Sequence, residues 1–474
     1  MTATSTPPAD AGLRRGVMGS TELFAQAIAN IAPSAVIAFT AAAIYLSAGK
    51  GTWLSFLLAT IIILAVGYSI LQFAKRRASA GSLYNYAAIG LGPVGAYVTG
   101  VTLVIGCFCI AAASLSGSVS YTMLTLTQIG VPLEGLVAQI VVAAVLGGLA
   151  VFFTIRGIRI SARVSFVLEL LSIGIIVLLF VLTLGYLGPA AWDPSQFDLS
   201  QTSFSGVAAG MVLAILGFVG FSSADALGRE AKNPFRAIPR AIMWSALGVG
   251  VLYIFGAYTQ VAALGDGLGA SASPLDEIAV LIGMPSWFNP ILNAGVAASF
   301  FAVVVAPLNV IGRILYVMGK EGVVDGRLGR THDRFQTPHR ALLISGAAVV
   351  LVPAVFYLVG VDPISVLVWV NTFGTYGYMV AYAVIAIASI VYVRRLGVTN
   401  RLLPVAVIVA VGGMAYVFWS NIVPVPAFPF NIIPWLFALL FGLTMVWYLY
   451  LARRRPEVVK AIGTTETDLL EGVG

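Results

Sequence analysis

The chain has 474 residues, of which 59% are hydrophobic and only 9% are charged. Soluble domains carry roughly 25% charged residues, so this composition excludes an ordinary soluble protein of this length. The formal net charge of +7 therefore does not indicate nucleic-acid binding, and the positions of the cations have to be compared with a membrane topology.

Apolar stretches separated by charged segments predict an all-α membrane protein with about twelve transmembrane helices. Each stretch reaches the length of about 20 residues that a bilayer crossing needs. The predicted spans cover residues 23–47, 52–74, 93–124, 133–154, 161–187, 204–231, 238–264, 288–318, 341–360, 364–392, 402–421 and 430–452. Residues 82–92 predict an amphipathic start to span three, and residues 265–287 an external loop with a short helix.

The lysines and arginines support this count. With twelve spans, 25 of the 26 fall on one side of the membrane, and only Lys50 falls on the other. Because cytoplasmic loops carry an excess of Lys and Arg, this pattern predicts an even number of spans and cytoplasmic termini. The aliphatic-rich composition and the short tails favour a bacterial plasma membrane.

Two spans contain residues that interrupt a helix. Span one has Pro33 near its middle, and span six has Gly217 and Gly220 near its middle. Transporters bind polar solutes between such broken helices, which occupy equivalent positions in two repeats. Spans one and six are five apart, so the second repeat would be inverted. The alternative is that Gly and Pro merely allow packing or kinks, as in many membrane helices.

The predicted organisation follows from these breaks. It has a disordered cytoplasmic N-terminal tail (1–21), a first five-helix repeat (22–190), a second inverted repeat (200–393), helices 11 and 12 (400–452) and a cytoplasmic C-terminal tail (453–474).

Short motifs along nearly the whole chain resemble the amino acid–polyamine–organocation (APC) superfamily. Residues 80–86, Ala-Gly-Ser-Leu-Tyr-Asn-Tyr, are similar to its segment before span three. Residues 220–242 are similar to its span-six signature, which is the most specific match. Further matches follow at Arg313-Ile-Leu-Tyr, at Thr337-Pro338 and at Gly374-Thr375.

This resemblance implies a LeuT-type fold, a 5+5 inverted repeat plus two C-terminal helices, in an amino acid permease. The family's Gly-Ser-Gly in span one, whose amides hold a substrate carboxylate, corresponds here to Pro33-Ser34-Ala35, and proline has no amide. The position just after Gly-Phe in span six is often acidic in the family, and here it is Ser222. The substrate is expected between the breaks, at Ile31, Ala32, Pro33, Ser34, Ala35, Gly217, Phe218, Val219, Gly220, Phe221 and Ser222.

Ionisable groups within the spans are candidates for coupling or gating, because they are costly in a membrane. Glu169 in span five is hypothesised to couple transport to protons, since desolvation favours its protonated form. The alternative is a carboxylate satisfied by a neighbouring hydroxyl, amide or backbone group. By resemblance, Ser172 matches a position that carries lysine in some proton-coupled relatives and adjoins sodium in others. Asp225 and Glu22 fit either gate charges or first-turn acids of helices.

The chain has no phosphate-binding loop, catalytic triad or metal-ligand spacing, so an enzyme, a cofactor and ATP as driver are not expected. The remaining prediction is a secondary transporter of an amino acid or small amine, coupled to protons or, as an alternative, to sodium. An exchanger, a non-transporting sensor of the same fold and a channel remain open.

Overall fold

The computed structural model of the protein describes residues 13–469, apart from residues 14, 199, 201, 272 and 466. The predicted disorder of the first twelve residues, and the C-terminal tail beyond residue 469, lie outside the described residues. The described part is almost entirely helical, with one small sheet.

Fifteen α-helices and two strands form the described part of the chain. The helices are α1 (Ser20–Ile31), α2 (Pro33–Ala48), α3 (Thr52–Ala74), α4 (Leu83–Gln128), α5 (Gly135–Arg156), α6 (Ile158–Leu187), α7 (Phe204–Leu216), α8 (Pro234–Leu264), α9 (Pro274–Leu281), α10 (Phe288–Lys320), α11 (His339–Leu358), α12 (Pro363–Arg395), α13 (Leu402–Ser420), α14 (Ile433–Arg454) and α15 (Pro456–Ala461). The strands are β1 (Arg77–Ser79) and β2 (Thr467–Leu469).

Ten helical stretches of the described residues are long and apolar enough to cross a membrane. One of them, Ser20–Ala74, contains both of the first two predicted spans, and predicted span six consists of the short helix α7 and the turns after it. The arrangement therefore fits the predicted twelve spans of a multi-pass membrane protein. The predicted short helix of the 265–287 loop is α9.

Both predicted breaks are present. Ala32 lies in the left-handed region (φ 51°, ψ 59°), which ends α1 and lets Pro33 start α2 in a new direction. Proline suits a first helical position because no amide is needed there. Span six leaves its helix after Leu216 and continues as turns, with Gly220 at φ 92°, to a 3-10 turn at Ser223–Leu227. Such a φ favours glycine.

The helices pack in two groups around these breaks. In the first group, the two halves of span one contact α6, α7, α8 and α10, and α3 contacts α7 and α8. In the second group, α4 crosses α10 and α12 with the most extensive contacts of the fold, and α5 packs on α11. The broken spans therefore lie between a bundle that contains α3 and α8 and a frame that contains α4 and α10.

Glycines allow the closest approach in this frame. A Cβ on Gly377 of α12 would lie 2.4 Å from the Thr102 carbonyl oxygen of α4, and one on Gly374 would lie 2.7 Å from the Cys109 Cβ. Lipid gives little hydrophobic drive for helices to associate, so tight packing through small residues contributes much of the stability.

Residues near both ends of the described part of the chain contact the face that is cytoplasmic in the predicted topology, here called the inner face. Met18 is fully buried, and its amide donates to the Glu230 carbonyl oxygen at 2.8 Å. The predicted disordered tail (1–21) is therefore too long, because residues near Met18 pair with the backbone that follows span six. Strand β2 pairs antiparallel with β1, which brings the C-terminal segment to the same face.

Candidate functional site

The break in span one brings Glu169 to the N-terminus of α2. The Ser34 amide and hydroxyl both donate to Glu169 Oε1, at 3.2 and 2.9 Å. The next amide, of Ala35, donates to Ser299 Oγ of α10 at 3.2 Å. A helix N-terminus has unsatisfied amides and a partial positive charge, so a carboxylate is stabilised there.

The Glu169 carboxyl group is enclosed by α6 and the helices that pack on it. The side chain is fully buried, and its second oxygen, Oε2, has no hydrogen-bond partner among the described residues. One turn along the same helix, the Ser172 hydroxyl is also buried without a partner. The structure thus brings together Ser34 and Glu169, which the sequence had placed in separate groups of candidates.

The backbone groups freed by the break in span six are bonded by side chains. The Gly217 carbonyl oxygen accepts the Tyr253 hydroxyl at 2.7 Å, and the Gly220 amide donates to the Tyr382 hydroxyl oxygen at 3.2 Å. The Asn30 Nδ2 donates to the Gly220 carbonyl oxygen at 3.0 Å. This last bond joins the two broken spans directly.

Two aromatic pairs fix the side chains of this break. Phe218 meets Tyr253 edge to face, with ring centroids 5.0 Å apart, and Phe221 meets Tyr382 in the same way at 5.3 Å. Such pairs contribute about 0.5–1.5 kcal/mol beyond the area they bury. The same two tyrosines therefore hold both the backbone and the rings of the break.

All residues predicted to bind substrate are buried. The two breaks meet through Asn30, and a second link runs from the Ser223 hydroxyl to the Gln26 carbonyl oxygen at 3.1 Å. The structure therefore gathers the predicted residues at one place that is closed to solvent. Their role in binding stays a prediction.

Asp225 lies just beyond the break and is fully buried. Its Oδ1 accepts the Ser82 hydroxyl at 2.5 Å, which ties span six to the start of α4. The neighbouring backbone is tightly packed, because a Cβ on Gly228 would lie 2.4 Å from the Ser79 nitrogen. This geometry suits a contact that changes when the inner face opens, and the gate role remains a proposal.

Glu22 lies in the first turn of α1 and not among the residues of the breaks. Its Oε2 accepts the Gly19 amide at 2.9 Å, and its Oε1 accepts from Arg163 of α6 at 3.1 Å. Both arginines near it, Arg159 and Arg163, are more than half exposed. The contact therefore combines a first-turn acid with an exposed ion pair between α1 and α6.

A buried ion pair that the sequence analysis missed lies on the inner side of the breaks. Arg313 Nε and Glu230 Oε2 are 2.6 Å apart, a second bond joins Nη2 to Oε1 at 2.7 Å, and each side chain is 1% exposed. Arg313 also donates to the Asn309 carbonyl oxygen at 2.7 Å. The sequence did contain a signal for this pair, because Glu230 and Arg313 both lie inside predicted spans, where charges are costly.

The opposite, outer side is closed by the segment between α8 and α10. The Asn293 amide group donates to both oxygens of Asp276 at 3.0 and 3.1 Å and to Gln128 of α4 at 3.1 Å. Burial raises the pKa of Asp276 above its ordinary value. The Tyr45 hydroxyl at the end of span one donates to Asp266 at 2.8 Å. Contacts thus close the site on both faces.

Comparisons with known proteins agree with this architecture. Residues 20–449 match the family model described as amino acid permease. The branched-chain amino acid permease BcaP of Bacillus subtilis is 24% identical over 366 residues, which cover 74% of this chain and 75% of that protein.

Solved transporters share the fold at low sequence identity. The structure of MhsT in complex with L-phenylalanine matches with a TM-score of 0.58 and 13% identity, over 86% of this chain and 100% of that one. A Na⁺-coupled sialic acid symporter matches with a TM-score of 0.56 and 13% identity, over 85% and 89% of the two chains. This chain therefore belongs to the amino acid permease family of the APC superfamily and has the LeuT-type transporter fold.

Proposed function

We propose that this permease is a secondary transporter that moves an amino acid or a related small amine across the plasma membrane, coupled to protons through Glu169. The observation that carries the proposal is the buried carboxylate of α6 bonded to the broken end of span one. The distribution of the cations supports cytoplasmic termini, and the composition supports a bacterial cell.

Alternating access requires the contacts of the two faces to open in turn. On the inner face these are the backbone pairing of Met18 with Glu230 and the ion pair of Glu22 with Arg163. On the outer face the main contact is Asn293 with Asp276. Each is a small polar contact, so its loss in one state is offset by hydration of the groups it exposes.

Coupling follows from what protonation would do to Glu169. The groups that face its carboxyl group are uncharged: the amide and hydroxyl of Ser34 on α2, and the hydroxyls of Ser299 on α10 and Tyr253 on α8. Among the described residues it forms no ion pair, so a proton is the group that removes its charge. A neutral carboxyl group binds the α2 N-terminus more weakly, which releases span one for movement.

The test is uptake into liposomes that contain the purified full-length protein, with pooled labelled amino acids and amines. An inward proton gradient should drive saturable uptake, and a proton ionophore should abolish it. Glu169→Gln should transport without a response to the gradient, and Glu134→Gln, at an exposed position before α5, should behave like the parent protein. If the pH dependence of uptake is unchanged in Glu169→Gln, the coupling proposal is refuted.

Three alternatives give different results. A sodium-coupled carrier would respond to a sodium gradient, and Ser172→Ala would weaken that response. An exchanger would take up label only into liposomes preloaded with substrate. A non-transporting sensor would bind ligand in the detergent-solubilised state without uptake under any gradient.

A further inference from the structure

The helix end at which relatives are expected to hold a substrate carboxylate is already occupied in this chain. Pro33 has no amide, the Ser34 amide donates to Glu169, and the Ala35 amide donates to Ser299. The amide of the fourth residue, Val36, donates to the Ala32 carbonyl oxygen at 3.0 Å. The first turn of α2 therefore has no free amide for a ligand carboxylate.

Three polar atoms near the breaks that lack hydrogen-bond partners among the described residues can accept hydrogen bonds. They are Glu169 Oε2, Asn30 Oδ1 and the Ser172 hydroxyl oxygen. The amide nitrogen of Asn30 already donates to the Gly220 carbonyl oxygen. All three side chains are at most 1% exposed. Buried acceptors require donors, and an ammonium group supplies three donors and a positive charge.

The negative charge of Glu169 distinguishes a substrate carboxylate from a substrate ammonium group. A substrate carboxylate at this place would meet the Glu169 carboxylate in a medium of low dielectric constant, where like charges repel strongly. An ammonium group would instead neutralise it and form charge-assisted hydrogen bonds. The side chain of Glu169 therefore takes the position of a substrate carboxylate and leaves a site for a cation.

We propose that the substrate of this permease is an organic amine without a free carboxylate, and that Glu169 sets this specificity by filling the anion site of α2. The inference rests on the proposed function, because it assumes that the substrate lies between the breaks.

The test compares amino acids with the amines that differ from them only by the carboxylate. The pairs are leucine and 3-methylbutylamine, phenylalanine and phenethylamine, ornithine and putrescine, and lysine and cadaverine. Binding to the purified full-length protein is measured by titration calorimetry and by ligand-induced thermal shift. In at least one pair the amine should bind about ten- to hundredfold more tightly, as expected for hydrogen bonds to a charged group.

Two variants of Glu169 separate specificity from folding. Glu169→Gln should lower the amine affinity by about tenfold or more, because the charge is lost. Glu169→Ala frees the Ser34 amide and hydroxyl, so the amino acid should gain affinity relative to its amine. A destabilised but folded protein would lose both ligands alike, whereas a change in their ratio requires a role in specificity. Glu134→Gln should leave the ratio unchanged.

The outcomes also separate this inference from the proposed function. Amino acids that bind as tightly as their amines in every pair would overturn the inference, as would the absence of binding by all four amines. Gradient-driven uptake of amino acids with no preference for amines would overturn only the inference. If no compound is taken up under any gradient or preload, the proposed function fails as well.

Discussion

Replacement of Glu230 by glutamine tests how much the buried ion pair with Arg313 stabilises the inner half of the fold. The variant keeps the shape of the side chain but leaves a guanidinium group that is 1% exposed without its counter-charge. Breaking a buried pair by removing one partner costs about 3–5 kcal/mol, because the remaining charge is uncompensated. The two bonds of 2.6 and 2.7 Å place this pair among those with good geometry, so we expect a loss in that range.

The double variant gives the sharper result. Glu230→Gln combined with Arg313→Met removes both charges, and such replacements of buried pairs are often close to neutral. The Asn309 carbonyl oxygen loses the Arg313 side chain but keeps its helical amide partner within α10. The remaining cost is the buried amide group that Glu230→Gln introduces, about 1–3 kcal/mol if it stays unsatisfied. The double variant should therefore be more stable than Glu230→Gln alone.

The matched control is Glu22→Gln, which breaks an ion pair whose arginine is 58% exposed. Exposed pairs contribute about 0–1 kcal/mol, so this variant should lose little. The free energy of unfolding is measured by SDS titration in mixed micelles, followed by tryptophan fluorescence. If Glu230→Gln loses no more than Glu22→Gln, or if the double variant is no more stable than Glu230→Gln alone, the reasoning is refuted.

Two further predictions use the same unfolding assay. Gly377→Val should destabilise the protein by about 1–3 kcal/mol or more, because a Cβ would lie 2.4 Å from the Thr102 carbonyl oxygen, whereas Gly412→Ala, which has open space, should change little. A similar loss in both would contradict the packing argument. Burial raises the pKa of Asp276, so its ionisation opposes folding as the pH rises above the ordinary aspartate range near 4. Asp276→Asn should therefore increase the free energy of unfolding at pH 7 but not at pH 3, and an equal change at both pH values would contradict this assignment.

The sequence predicted those features of the fold that depend on local chemistry. Long apolar stretches identified the spans, and Pro33 and Gly220 identified the two breaks because each restricts or permits a particular backbone geometry. The LeuT-type fold and the family were also predicted and are confirmed. The tail at residues 1–21 was predicted too long, since pairing of Met18 with the chain after span six is a long-range contact.

The partners within the site could not be predicted in this way. Glu169 was a candidate because it is a charge within a span, but its bond to Ser34 joins residues 135 positions apart. Tyr253 and Tyr382 bond the broken backbone of span six, yet nothing in their sequence surroundings distinguishes them from the other aromatic residues of the spans. Which side chain fills a given gap depends on helix packing, and one sequence does not fix the pairing.

The bonds at the two breaks bear on the cost of opening the site in the proposed transport cycle. The backbone groups that the breaks release from helical hydrogen bonds are not left unsatisfied, because Glu169, Asn30, Tyr253 and Tyr382 bond them. In the proposed transport cycle, a substrate that enters would exchange one of these internal bonds for a bond of its own, and such an exchange changes the free energy little. Under this proposal, the closed and loaded arrangements differ by only a few bonds, so a change in the charge of Glu169 would shift the balance between them.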